Sequence, residues 1–204
     1  MKNKATHGTV FRLTALALLA ALVVVLQTLA TGIRIGPIPI TLTLVPIVVG
    51  AILFGPAAGA LLGAIFGVIT LIPGITGVDQ FTATLWNLRP FWTAVLCIGK
   101  GTLAGLCSGL VCRACGKKET LGCVLASLTA PIANTGTFAI GMLVLFRDVL
   151  VNFAGGGSIL YLLFITFIGF NFIVEMAINA ALATVIARIV QIVKNRIMNS
   201  NREN

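Results

Sequence analysis

Long apolar runs, separated by short polar or glycine-proline punctuation, govern this chain. They predict six helices, at 13–31, 40–54, 56–72, 91–114, 121–146 and 159–193. A helix that spans a membrane needs about 20 predominantly apolar residues. The second run falls short of that, and Pro46 within it is a candidate kink. The uncharged stretch from Thr41 to Ile72 breaks once, at Gly55-Pro56, where glycine closes one helix and proline opens the next. Beyond the break, Gly55, Gly59, Gly63 and Gly67 recur every fourth residue, and Gly101, Gly105 and Gly109 repeat the spacing in the fourth helix. Such spacing draws a stripe without side chains down one helix face. In lipid the stripe lets a neighbouring backbone approach closely enough for dispersion and weak hydrogen bonds to hold the pair. The pattern predicts an all-α integral membrane protein, one compact six-helix bundle over residues 1–204. Between the runs, 73–90 reads as the longest irregular segment, and 147–158 as a loop ending in Gly155-Gly156-Gly157.

Composition sharpens this picture. Of 204 residues, 58% are hydrophobic and 9% charged, against about 25% charged in a soluble domain. A cleaved leader competes for the first run, because Thr28-Leu29-Ala30 loosely fits a cleavage site. The run exceeds the usual leader segment of about 7–15 apolar residues, which favours a retained helix. The net charge of +9 fits a nucleic-acid partner or an acidic membrane surface, and its distribution decides against nucleic acid. With the N-terminus inside, Lys2, Lys4, Arg12, Arg113, Lys117, Lys118, Arg188, Lys194, Arg196 and Arg202 fall on one side, and Arg34, Arg89 and Arg147 on the other. Excess Lys and Arg in short loops marks the cytoplasmic side, so both termini are expected there.

Candidate chemistry is sparse. Cys112 and Cys115 form C-R-A-C, but no second such pair exists and the one histidine, His7, precedes the first helix. A zinc tetrad would need irregular partners, so unpaired thiols at a helix end are the better reading, with no metal and no cofactor. Gly99-Lys100-Gly101-Thr102 offers the lysine of a phosphate loop, yet that motif requires Ser or Thr directly after Lys and an earlier glycine where Ala94 stands. Asp79, Glu119, Asp148, Glu175 and Glu203 are scattered over different segments. No enzyme is expected.

Polar groups inside a membrane are costly, and each is a candidate for function. Lys100, Asn134, Asn171 and Glu175 qualify. Lys100 is about ten residues from the outer end of its helix, or roughly 15 Å. Asn134 and Asn171 reach a similar depth, so the three can converge. Glu175 shares the face of Asn171 and reads equally as a buried partner for Lys100. Asn179 extends that face and reads as structural. Asn134 follows Pro131, which frees a carbonyl near residue 127; either that carbonyl or a ligand is its partner. Before the fourth helix stand Gln80, Trp86, Asn87 and Arg89, with Trp92 at its start. The tryptophans double as interfacial belt residues, and Arg89 as a headgroup anchor.

Three segments carry a family resemblance: ALALLAALVVVLQ at 15–27, ITLTLVPIVVGAILFGPAAGALLGAIFGV at 40–68 and APIANTGTFAIGML at 130–143. They resemble the substrate-binding S components of energy-coupling-factor (ECF) vitamin transporters, over essentially the whole chain. The resemblance implies a multi-pass subunit of a bacterial plasma membrane that hydrolyses nothing itself. Its partners would be a vitamin, a transmembrane T component and two ABC-type ATPases. Ala17-x-x-x-Ala21 is similar to the alanine motif by which S components dock on the T component; by physics alone, a small-residue pair serves packing within the bundle as well. The resemblance places the vitamin site in the outer loops and the outer halves of the last three helices. Carried onto this chain, that implies Gln80, Trp86, Asn87, Arg89, Lys100, Asn134 and Asn171. Cations near the site and few carboxylates favour an anionic ligand, and few aromatics disfavour a large flat ring. Pantothenate fits both, and segment 40–68 looks most like pantothenate-type members; riboflavin and folate are the alternatives. From a different class, a small channel or structural subunit remains, but a pore usually shows rings of charge, which one lysine does not supply.

Overall fold

The computed structural model describes residues 2–30, 42–116, 118–162 and 169–202. The predicted connection at 32–39, with Arg34, and positions 163–168 of the predicted sixth helix lie outside the described residues. The described chain is almost entirely helical, with no strand among the described residues. In order it forms α1 (Lys2–Ala30), α2 (Leu44–Phe54), α3 (Pro56–Ile75), α4 (Gln80–Leu88), α5 (Pro90–Ala114), α6 (Glu119–Leu145), α7 (Arg147–Ala154), α8 (Ile159–Tyr161) and α9 (Phe170–Arg202). Five of these hold stretches long and apolar enough to cross a membrane: Thr9–Ala30, Pro56–Ile75, Pro90–Ala114, Glu119–Leu145 and Phe172–Ile192. At 11 residues, α2 is about 16 Å long, short as its run predicts.

Local chemistry explains the boundaries. Gly55 separates α2 from α3 with φ 93°, a conformation that glycine adopts without strain, and Pro56 opens α3. Pro46 lies in the first turn of α2, where a backbone N–H has no helical partner to lose. It therefore costs no hydrogen bond there, and the predicted kink has no cause. Two segments read as irregular are instead helical. After α3 continues through Pro73, the turn is closed by the Asp79 N–H donating to the Pro73 carbonyl at 2.9 Å, and α4 follows. It stops at Arg89, because Pro90 disfavours a helical residue before it; Arg89 has φ −146° and ψ 76°. The other, α7, ends on Gly155 in the left-handed cap conformation.

Short α2 is the hub of the bundle. Leu44, Ile47 and Val48 are fully buried and pack with Val23 of α1, Leu62 and Phe66 of α3, Ala104 of α5, Ala126 of α6, and Ile186 and Val190 of α9. A second cluster, with Leu85, Leu96, Met142, Phe146 and Leu150, fills the end beneath α4 and α7.

The two glycine stripes meet each other. A Cβ added to Gly59 would lie 2.5 Å from the Gly105 carbonyl oxygen, and one on Gly67 would lie 2.5 Å from the Cys97 oxygen. Gly63 and Gly101 oppose each other in the same reciprocal way, and Gly109 sits on Pro56. The α-hydrogens that a side chain would replace therefore point at carbonyl oxygens across the seam, the arrangement of Cα–H···O contacts worth about 0.5–1 kcal/mol each. Ser108 adds a conventional bond one face over, donating to the Ala126 carbonyl at 2.7 Å and tying α5 to α6.

Gly63→Ala and Gly105→Ala are each expected to destabilise the fold by about 1–3 kcal/mol, the usual cost of overpacking. The drop reads out as a lower thermal midpoint of the detergent-purified protein. Gly99→Ala is the control: its methyl meets no atom within 4 Å, and the midpoint should hold or rise slightly, as alanine favours the helix.

Candidate functional site

Where the glycine seam ends, toward α4 and α7, the helices part around a cavity. Its wall takes Gln27 from α1, Phe66 and Thr70 from α3, and Thr93, Leu96, Cys97 and Lys100 from α5. Asp79, Phe81, Thr82 and Leu85 come from α4 and its N-cap, and Phe138 from α6. Spacings of three and four residues put Thr93, Leu96, Cys97 and Lys100 on one face of α5. The Lys100 ammonium lies over two rings, 5.9 Å from the centre of Phe66 and 5.4 Å from that of Phe138. Such cation–π contact offsets part of the cost of drawing the charge out of water.

Hydrogen bonds orient the polar wall. Thr70 donates to the Phe66 carbonyl and Thr93 to the Arg89 carbonyl, each at 2.9 Å, so both hydroxyl oxygens can act as acceptors. Gln27 is buried, and its Oε1 accepts from Thr43 Oγ1 at 2.7 Å. That bond fixes α1 against the start of α2 and presents the Gln27 carboxamide at the cavity. Asp79 is 5% exposed and accepts from Thr82 Oγ1. Above it, the Phe81 ring lies 6.3 Å from both Phe138 and Phe153, joining α4 to α6 and α7. The wall thus carries one basic and one acidic side chain among hydroxyls, an amide and aromatic rings.

Of the seven binding residues predicted from sequence, Lys100 lines this cavity. Gln80 and Asn87 are exposed on α4 and Trp86 is half-buried, off the wall. Arg89 is also off the wall: it donates to the Leu145 carbonyl and pairs with Asp148 at 3.0 Å. Asn134 is 5% exposed on α6, and its Oδ1 has no hydrogen-bond partner among the described residues. Asn171 belongs to α9, but its side chain lies outside the described residues. Glu175 is buried away from this wall, and its backbone carbonyl accepts from Asn179 Nδ2 at 2.8 Å. Trp92 packs edge-on against Phe91 on the exposed side of α5. Ala17 and Ala21 face outward on α1 beside Leu18, which is 72% exposed, so the described bundle makes no use of their smallness.

Sequence reasoning missed Gln27, Asp79, Thr82 and Thr93 as wall residues. Gln27 had a signal, being one of few polar residues in the first apolar run. Asp79 and Thr82 had none without α4 in place. The five cysteines form no disulfide, and no cluster of His, Cys, Asp and Glu suited to a metal occurs among the described residues.

Comparison with known families supplies one match: the model described as ECF transporter, substrate-specific component, matches residues 11–187. No curated protein matches the chain.

The pair of Arg89 and Asp148 is open to solvent, with side-chain exposures of 44% and 55%. Asp148→Asn is therefore expected to lower stability by no more than about 1 kcal/mol. Arg89→Ala should cost more, since it also gives up the Leu145 carbonyl. Thermal midpoints at low and high salt check both, and the Asp148 effect should fade in salt.

Proposed function

The chain belongs to the family of ECF transporter substrate-specific components, and on that premise we propose that it captures pantothenate for an ATP-driven importer. Members of this family are membrane-embedded substrate-binding subunits that associate with T and ATPase modules, and they are not enzymes. The observation that supports an acidic substrate is Lys100: a cation within an apolar helix, on the wall of a largely apolar cavity that carries a few polar side chains. A carboxylate brought to it would form a charge-assisted hydrogen bond, stronger in this environment than in water. The wall rings are engaged with Lys100 and with one another, which favours a compact ligand over one that must be stacked. Pantothenate has a carboxylate at one end, two hydroxyls flanking a dimethyl carbon at the other, and an amide between.

The same reading takes α2 and the five long helices as six spans of one domain. Both termini would lie in the cytoplasm of a bacterial cell, and the cavity would face outward. Arg12 supports that orientation, donating to the Phe54 carbonyl at 3.4 Å and so sharing an end of the bundle with Arg113 and Lys118. Substrate contact is assigned first to Lys100. It extends to Gln80, Trp86, Asn87 and Arg89 at the α4 rim, and to Asn134 and Asn171 deeper in α6 and α9, as these helices shift around the ligand. The outward pair Ala17 and Ala21 would dock on the T component, where small residues allow close helix approach.

Equilibrium binding of the purified protein to pantothenate, riboflavin, folate, biotin and thiamine tests the substrate. Tight one-to-one binding of pantothenate is expected, weakened about 10–100-fold in Lys100→Met, the loss of one hydrogen bond to a charged group. Tight binding of another vitamin would overturn pantothenate and leave the transporter role. Replacing Ala17 and Ala21 together by Trp should abolish uptake by cells and spare binding in detergent; undiminished uptake would sink the docking assignment.

A further inference from the structure

A second cavity, of about 240 Å³, opens at the other end of the bundle, where α2 gives way to α3 and α5 turns into α6. A water's share of liquid volume is about 30 Å³, so the space admits a phosphodiester with part of its hydration. Ala51, Ile52 and Pro56 give the cavity an apolar wall, and Arg113 and Glu119 are its charged side chains. The glycine corners Gly55 and Gly116 also line it, and a side chain on either would meet no atom within 4 Å. The backbone there stands open to a ligand. Two more cations lie at this end. Arg12 donates to the carbonyl of Phe54, beside Gly55, which leaves most of the five N–H groups of its guanidinium to spare. Lys118 is the N-cap of α6, next to Glu119. The side chains of Arg113 and Lys118 make no hydrogen bond, ion pair or ring contact among the described residues. Around the opening, Arg12, Arg113 and Lys118 thus outweigh the single carboxylate of Glu119.

We infer that this opening binds the headgroup of an anionic phospholipid, with Arg113 as the ligand of its phosphate. A guanidinium meets a phosphate through two parallel hydrogen bonds, and basic pockets between membrane helices are a recurrent place for such headgroups. Lipid fits better than a dissolved phosphate because exposed apolar side chains adjoin the cations. Phe11 and Leu13 flank Arg12 on α1, and Leu121 and Leu125 follow Lys118, sharing one face of α6 by their spacing. A phosphate held at Arg113 leaves its acyl chains beside such side chains, from which inorganic phosphate gains nothing. The site is independent of the substrate cavity and of the vitamin that fills it. With both termini in the cytoplasm, as proposed above, it lies in the inner leaflet.

Native mass spectrometry of the detergent-purified protein tests it, by titration with phosphatidylglycerol and with phosphatidylcholine of the same acyl chains. The wild type should bind one phosphatidylglycerol about tenfold or more tightly than phosphatidylcholine, since each cation near a lipid surface contributes about fivefold. Arg113→Gln should lose about fivefold of that preference, and adding Lys118→Gln should abolish the rest. Arg113→Lys keeps the charge and should keep most of the preference. Arg147→Gln, which removes an exposed cation of α7 at the opposite end, should change nothing. No preference in the wild type, or one that survives both Arg113→Gln and the double variant, overturns the site. Millimolar glycerol 1-phosphate should fail to displace the lipid; displacement would make the ligand a soluble phosphate ester and overturn the lipid assignment. Should Arg113→Gln spare the lipid preference but disrupt assembly with the T component, the face is a protein interface instead.

Discussion

Backbone against backbone along the α3–α5 seam is the contact on which the rest of the structure depends. From Gly59 opposite Gly105 to Gly67 on Cys97, each step along it pairs a glycine with a carbonyl across the interface, and at the far end Gly109 sits on the Pro56 backbone. There is no side chain to compress, so the separation of the two helices is set by hard contact. In lipid, where apolar side chains gain little by leaving the solvent, close fit of this kind carries much of helix association. The seam also places the chemistry. Lys100 lies between Gly101, which opposes Gly63, and Cys97, which opposes Gly67. Phe66 touches the position that a Gly101 side chain would take, and from there its ring reaches under the Lys100 ammonium. Close packing below and the cation above are consecutive turns of the same two helices.

How much of this was legible depends on the period of each feature. Both glycine ladders could be read from their four-residue spacing, as could the helix break at Gly55-Pro56 and the short second helix. That the ladders face each other could not be read, because spacing gives a face but not its neighbour. The long spans announce themselves by hydrophobicity. By contrast, α4 and α7 are too short and too mixed to do so, and their sequence reads as loop. That difference decides which residues of the segment line the cavity. Gln80, Trp86, Asn87 and Arg89 looked like one cluster in a loop, but on a helix they point away from the wall that Asp79, Phe81, Thr82 and Leu85 form. Lys100 was recoverable because a lone charge in an apolar helix stands out whatever the tertiary structure.

The site's electrostatics also differ from the simplest reading of composition. A net charge of +9 and several cations near one end suggested an attraction for any anion. The structure spends Arg89 on Asp148 and the Leu145 carbonyl and brings a carboxylate to the wall with Lys100. A wall that carries both a basic and an acidic side chain is not a general trap for anions. Composition bounds the ligand class, and placement narrows it.

Rigidity is distributed unevenly around the cavity, and that bears on how a ligand enters. On the seam side, moving α3 from α5 would separate a continuous line of close backbone contacts. On the other side stands α4, nine residues long. It is fastened to α3 by Thr82 packed on Gly74, to α6 and α7 by the contacts of one phenylalanine with two rings, by Leu85 in the upper cluster, and at its end by an ion pair exposed to water. Aromatic pairs contribute about 0.5–1.5 kcal/mol beyond their burial, and an exposed ion pair about 0–1. The contacts that cost least to separate are therefore those between α4 and the pair α6 and α7, while α4 stays with the seam through Thr82 on Gly74.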